Sequence, residues 1–248
     1  MIYLDYAATT PVDSRVFDAM LPYFTESFGN PSSTHRYGQK AEAAVESARE
    51  TIAAILNCRP DEVIFTSCGS ESDNLALRGV ALAIREKTGA NWILTSRAEH
   101  HAVSKTAEQL EKGDGFRVEW LDVDEFGMVP PEAVEKAICK DTALVSVMYS
   151  NNEIGTVNPL RQIAEVCRKH GIPFHTDAVQ AAAYLPVDVD ALGVDLLSLG
   201  AHKFYGPKGI GALYIRRGTP VQSVLTGGGQ EFGLRAGTHN VPLIVGLA

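Results

Sequence analysis

Short apolar, β-rich runs take turns with longer stretches of helical periodicity from one end of the chain to the other, and this alternation constrains the fold more than any other feature. The runs "EVIFT" (62–66), "NWILT" (91–95), "FRVEWLDV" (116–123), "ALVSVMYS" (143–150), "IPFHTDA" (172–178), "DLLSL" (195–199) and "GALYI" (211–215) read as strands. Several are apolar without interruption, as suits strands covered on both faces. Between them, residues 39–56 place Ala41, Ala44, Val45, Ala48, Ile52 and Ile55 on one helical stripe with charges opposite. Residues 72–89 and 160–171 read as helices ended by Gly89 and Gly171. The pattern predicts an α/β fold built on a mostly parallel sheet of about seven strands flanked by helices. "NVPLIVGLA" (240–248) reads as the first turns of a further apolar helix that is cut off.

Composition removes several function classes. A formal charge of −8, with no lysine/arginine cluster, argues against a general nucleic-acid binder. The cysteines Cys58, Cys68, Cys139 and Cys167 lack metal-ligand spacing, so no metal site and no disulfide framework is expected. The opening "MIYLDYAATT" does not read as a signal or transit peptide, and the apolar stretches are short for a membrane span. The expectation is a cytoplasmic protein with no membrane partner.

In parallel α/β sheets ligands gather at the carboxyl ends of the strands. After 62–66 comes "SCGSESDN" (67–74), where a glycine and small hydroxyl residues open a helix. Free N–H groups there make an anion site, or Ser70 or Ser72 simply caps the helix. After 91–95 come His100 and His101, adjacent and so unable to share one helix face as metal ligands. After 143–150 come Asn151 and Asn152, which suit a turn or a ligand hydroxyl. Asp177 ends a buried strand and needs either a structural cation or a protonated ligand nitrogen. "AHKFYGPKGIG" (201–211) brings Lys203 and Lys208. A desolvated lysine beside other cations becomes a nucleophilic amine. A nucleotide-phosphate loop fails on spacing, since Gly206, Gly209 and Gly211 do not give G-x-G-x-x-G and Lys208 is followed by Gly. An anion cradle, a histidine ring, an aspartate and a lysine at successive strand ends match what pyridoxal 5'-phosphate requires.

The stretches "YLDYAATTP" (3–11), "GNPSSTHRYG" (29–38), "SESDNLA" (70–76), "EHHAV" (99–103), "NNEIGT" (151–156), "HTDAVQ" (175–180), "AHKFYGPKGIGALY" (201–214) and "RAGTHN" (235–240) closely resemble the cysteine desulfurases of the class V aminotransferase superfamily. The resemblance implies the three-layer large domain of the fold-type I pyridoxal-phosphate transferases. It implies that Lys203 joins the cofactor aldehyde and moves protons, that Asp177 pairs with the pyridine nitrogen, and that His100 stacks on the ring and acts in acid–base steps. Asn152 and Gln180 would hold the phenolic-oxygen side. Gly69, Ser70, Glu71 and His202 would bind the phosphate. Thr238 would reach the phosphate of a neighbouring subunit's cofactor, making a homodimer with shared sites, and Asn30 would lie near the substrate. The implied reaction converts L-cysteine to L-alanine and passes sulfur to an enzyme cysteine, then to sulfur-acceptor or scaffold proteins.

Two departures qualify the resemblance. Gly200 stands where the family often carries a phosphate-binding serine. None of the four cysteines occupies the sulfur-accepting position, which in the family lies in a smaller C-terminal domain. The expected organisation is therefore an N-terminal arm (1–15) and a large cofactor-binding domain (16–248), without that small domain, and poor turnover alone. A selenocysteine lyase or other class V lyase, and a non-catalytic remnant that dimerises or docks, are the alternative readings.

Overall fold

The computed structural model describes residues 2–248. Its strands are β1 (Val63–Thr66), β2 (Trp92–Ser96), β3 (Arg117–Leu121), β4 (Thr142–Ser146), β5 (Phe174–Asp177), β6 (Leu196–Gly200) and β7 (Gly211–Ile215). Its α-helices are α1 (Ser14–Met20), α2 (Pro22–Thr25), α3 (Arg36–Leu56), α4 (Gly69–Thr88), α5 (His101–Asp114), α6 (Pro131–Ala137), α7 (Leu160–His170), α8 (Val189–Leu192) and α9 (Val241–Leu247). All seven expected strands are present and form one sheet in the order β1-β7-β6-β5-β4-β2-β3. Only β7 runs against its neighbours, pairing antiparallel with β1 and β6. The parallel strands therefore all end on one edge, where their following loops meet.

The sheet is covered on both faces, and each face has its own apolar core. On one side Leu75, Leu77 and Val80 of α4 and Val103 and Leu110 of α5 pack with Ile64, Ile93, Leu144 and Leu213. On the other, α3, α7 and α9 pack Val45, Ile52, Ile163 and Ile244 against Phe65, Val145, Phe174 and Tyr214. This two-sided burial is why the strands read as continuous apolar runs. Along α3 the buried stripe turns toward Ala53 and Leu56, and Ile55, placed on the stripe by the sequence reading, is 59% exposed. The helix α5 carries Val103, Thr106, Ala107 and Leu110 at helical spacing, a signal diluted by its charged outer face. Among the described residues no helix is long and apolar enough to cross a membrane.

Backbone segments approach closely where β7 begins. A Cβ built on Gly211 would lie 2.6 Å from the Leu199 carbonyl oxygen and 2.7 Å from the Cys68 carbonyl carbon, both backbone atoms that cannot step aside. Gly206 is pressed in the same way against Ala201. These glycines serve close backbone approach, not phosphate cradling. Gly211→Ala is expected to lower unfolding free energy by about 2 kcal/mol in urea denaturation. Gly113→Ala, inside α5 with open space around it, is expected to raise stability by about 0.5–1 kcal/mol in the same assay.

Candidate active site

Eight of the residues singled out from the sequence line one cavity of about 580 Å³ at the carboxyl edge of the sheet: Gly69, Ser70, His100, Asn152, Asp177, Gln180, His202 and Lys203. Their elements are far apart in the chain, and pairing within the one sheet brings them together, parallel among β2, β4, β5 and β6 and antiparallel through β7 to β1.

The β1–α4 junction forms one wall. Cys68, in extended conformation, is the residue before the helix, and its side chain gives no cap. The N–H groups of Glu71 and Ser72 turn back to the Cys68 carbonyl, both at 3.1 Å, and those of Gly69 and Ser70 have no partner among the described residues. Ser72 does not cap; its hydroxyl lies 2.7 Å from that of Thr66, on the sheet side. The 20-residue helix thus presents free N–H groups and its positive dipole end toward the cavity. Gly69 must be glycine, since a Cβ there would meet Val179 Cγ2 at 2.5 Å. Gly200 lies just beneath, with its Cβ position 3.5 Å from the Gly69 nitrogen.

Glu71 does not line the cavity. Its carboxylate accepts from Ser67 N at 2.6 Å and from Arg235 Nε at 2.8 Å. Burial pushes this acid up, but Arg235 and Ser67 outweigh burial and hold it below its ordinary value. The paired asparagines divide the two roles that the sequence left open. Asn151 builds the turn, accepting from Glu153 N and Ile154 N and donating to Ala98 O. Asn152 lines the cavity. His100 caps α5 through Nδ1, which accepts from Ala102 N at 3.1 Å, so the neutral ring carries its hydrogen on Nε2.

Asp177 is buried and makes no salt bridge among the described residues; Oδ1 accepts from Val179 N at 2.9 Å. Burial raises its pKa, against the pull of the Val179 N–H, His100 and Lys203. Gln180 Oε1 is buried without a partner. The Lys203 ammonium donates to Ala7 O at 2.6 Å and Ala8 O at 3.0 Å. Burial lowers its pKa, with Asp177, Asp5 and Glu153 acting in the opposite sense. The N-terminal segment is strapped over this turn, with Thr10 N donating to His202 O and Tyr205 N to Thr10 Oγ1. Burial, then Lys203 and Lys208, depress His202. Lys208 itself is exposed and faces no part of the cavity.

Asn30 and Thr238 lie elsewhere. They share a second cavity of about 380 Å³ with Phe28, His239 and Asn240.

Three buried polar residues at the first site were not singled out by the sequence: Asp73, Glu99 and His175. Asp73 sits one turn into α4, where an acid has no distinguishing mark, and His175 hides inside a strand run. Glu99 Oε1 accepts from Ser96 Oγ and Met148 N, both at 3.0 Å, and Oε2 has no partner among the described residues. Burial pushes this carboxyl from 4.5 up to about 8. The folded protein holds the proton more tightly than the unfolded chain does. The stabilisation is therefore complete below about pH 4.5 and is lost as pH rises through about 8. Between about pH 5 and about pH 9, Glu99→Gln should lose less unfolding free energy than the parent chain, by ~2 kcal/mol or more. Chemical denaturation at the two pH values reads this difference, and equal losses would refute it.

Comparison with known proteins agrees with this geometry. The profile of the aminotransferase class-V family matches residues 2–248. "Cysteine desulfurase IscS" of Dictyoglomus turgidum is 52% identical over 246 residues, covering 99% of this chain and 62% of that protein. Its namesake from Clostridium botulinum is 51% identical over 99% of this chain and 61% of its own length. Among solved structures, a "NifS-like protein" superposes with a TM-score of 0.95 at 44% identity, covering 99% of this chain and 67% of its own. "SspA in complex with cysteine" gives 0.95 at 45% identity, covering 100% and 71%. The chain thus spans less than two thirds of the length of these curated relatives. Class V aminotransferases and cysteine desulfurases are pyridoxal-phosphate proteins, and the cavity fits that cofactor. An uncapped helix start suits a phosphate, a buried carboxylate without a salt bridge suits a ring nitrogen, an orphaned amide oxygen awaits a donor, and a desolvated lysine faces the same space. By sequence profile, by fold and by the chemistry of its cavity, the chain belongs to the aminotransferase class-V family.

Proposed function

We propose that this chain is the cofactor-binding part of a cysteine desulfurase, which releases alanine from L-cysteine and hands the sulfur to a cysteine thiolate. The observation that carries the reading is the convergence of Lys203, Asp177, His100 and the uncapped start of α4 on one cavity. The names of the relatives and the cysteine-bound structure support it. Pyridoxal phosphate, when bound, supplies the electron sink for reactions at the substrate's α-carbon.

The protein's own groups have separable tasks. The N–H groups of Gly69 and Ser70 bind the phosphate, reinforced by the helix dipole, with His202 alongside. Asp177 holds a proton on the ring nitrogen. Its burial strengthens that interaction, because charges attract more strongly in surroundings of low dielectric. Asn152 and Gln180 orient the phenolic side of the ring, and His100 covers one face with a protonated Nε2 available to move a proton. Lys203 would hold the cofactor through its aldehyde carbon and would carry protons at the substrate's α-carbon. Burial favours its neutral, nucleophilic form.

The sulfur-accepting thiolate is a separate matter. Burial pushes the thiols of Cys58 and Cys167 up to about 12, so neither forms the thiolate that attack on sulfur requires. By the family resemblance, none of Cys58, Cys68, Cys139 and Cys167 stands at the sulfur-accepting position. The same reading takes residues 1–15 as an arm and 16–248 as the large domain. It also takes the working form as a cytoplasmic homodimer that delivers sulfur to acceptor or scaffold proteins, with Asn30 near the substrate and Thr238 reaching the partner's cofactor.

Adding pyridoxal phosphate to the purified chain should give a visible absorbance band that depends on Lys203. Lys203→Ala should abolish the band and cut any alanine release from L-cysteine by about 10²–10⁴-fold. Full retention of the band in that variant would sink the assignment.

A further inference from the structure

One buried acid at the site has no task in the scheme above. Asp73 is 1% exposed, and its Oδ1 has no hydrogen-bond partner among the described residues. The nearest ring nitrogen, His175 Nε2, stands at 3.6 Å, beyond hydrogen-bond reach. His175 is already occupied on both sides, with Nδ1 2.8 Å from Ser146 Oγ and Nε2 3.0 Å from Ser198 Oγ. Carboxylate oxygens of Asp73 and Asp177 and a ring nitrogen of His100 all lie within 4.8 Å of one another. Two acids therefore share one buried corner beneath the cavity.

The groups facing this corner decide where a proton resides. From α4 come Asp73 and, at its start, Cys68; from β5, His175 and Asp177; from the β2–α5 turn, Glu99 and His100; and from the turn after β6, Lys203. Burial pushes His175 down to about 3, so it is a neutral ring and compensates no charge. The Lys203 ammonium favours the ionised form of Asp177, which also accepts the Val179 N–H. Asp73 has burial and then the charge of Asp177 against its ionised form, and the Ser198 hydroxyl in its favour. Two adjacent buried carboxylates with a single set of stabilisers cannot both ionise at low cost.

We propose that Asp73 is a positioning residue whose buried carboxyl keeps a proton beside Asp177 at neutral pH, so that the pair presents one negative charge to the cofactor ring. The part of this statement that concerns the ring rests on the function proposed above; the protonation of Asp73 does not. Neutral Asp73 spares Asp177 a like charge at contact range and leaves it the single anion opposite the ring nitrogen. An amide at position 73 has nearly the shape and the charge of that neutral acid, so it should preserve the function that a negative charge there would spoil.

The test uses the full 248-residue chain. Without cofactor at neutral pH, infrared spectra should contain carbonyl stretches of protonated carboxyl groups. Asp73→Asn should remove one component, and Glu99→Gln should remove a different one. With pyridoxal phosphate, Asp73→Asn should bind within about threefold of the parent affinity, since the amide reproduces the neutral acid. An unchanged protonated-carboxyl signal in Asp73→Asn, or a loss of affinity of tenfold or more, overturns the proposal. If that variant does not fold, carbon-13 carboxyl-labelled aspartate in the parent chain decides the matter. At least one aspartate must keep a protonated chemical shift at neutral pH, and its absence overturns the proposal. Failure of the parent chain to take up pyridoxal phosphate would instead strike the function reading, and the cofactor-free spectra would still decide Asp73.

Discussion

Parallel hydrogen bonding across β2, β4, β5 and β6 is the constraint on which the rest of the molecule depends. It sends His100, Asn152, Asp177 and Lys203 to the same edge, although they lie on loops that follow different strands. The single reversed strand, β7, is equally necessary. It lets the chain leave β6, make the short turn that carries His202 and Lys203, and return between β6 and β1. The backbone contact of Gly211 with Leu199 and Cys68 then pins the lysine turn beside the uncapped start of α4.

The site is built from groups that would be costly to bury without their partners. Glu231 accepts hydrogen bonds from Phe65 N, from both terminal nitrogens of Arg49 and from His239 Nε2. This cluster fastens the loop carrying Arg235 and Thr238 to β1, and Arg235 in turn grips Glu71 at the first turn of α4. A buried pair of this kind adds little net stability over an apolar pair but fixes one geometry, because breaking it strands a charge. The acidic corner around Asp177 follows the opposite rule. There Asp177, Asp73 and Glu99 are buried with too few cations, and their pKa values are raised for that reason. Buried titratable groups perturbed in this way cluster at functional sites.

Much of the fold was legible because its signals are local. Continuous apolar runs, helical stripes and the glycines at 89 and 171 depend on neighbours a few residues away, and all seven strands followed from them. The helices α5 and α6 were missed where charged outer faces weaken the period. At the site, Lys203, Asp177 and His100 were legible as unusual residues following apolar strands. Asp73 was not, since an acid in the first turns of a helix is ordinary, and only its direction onto β5 makes it a neighbour of Asp177.

The sequence by itself determined the strand–helix order, the placement of chemically active residues after strands, and the resemblance that those motifs carry. Each of these depends on residue type and short spacing, which a linear chain displays in full. Tertiary structure alone decided which reactive groups share a space. It joined Asp73 to Asp177, laid the Ala7 and Ala8 carbonyls against Lys203, and placed Asn30 and Thr238 around a second cavity. Those relations span about a hundred residues or more in several cases, and they arise from sheet order and layer packing, which no local propensity encodes.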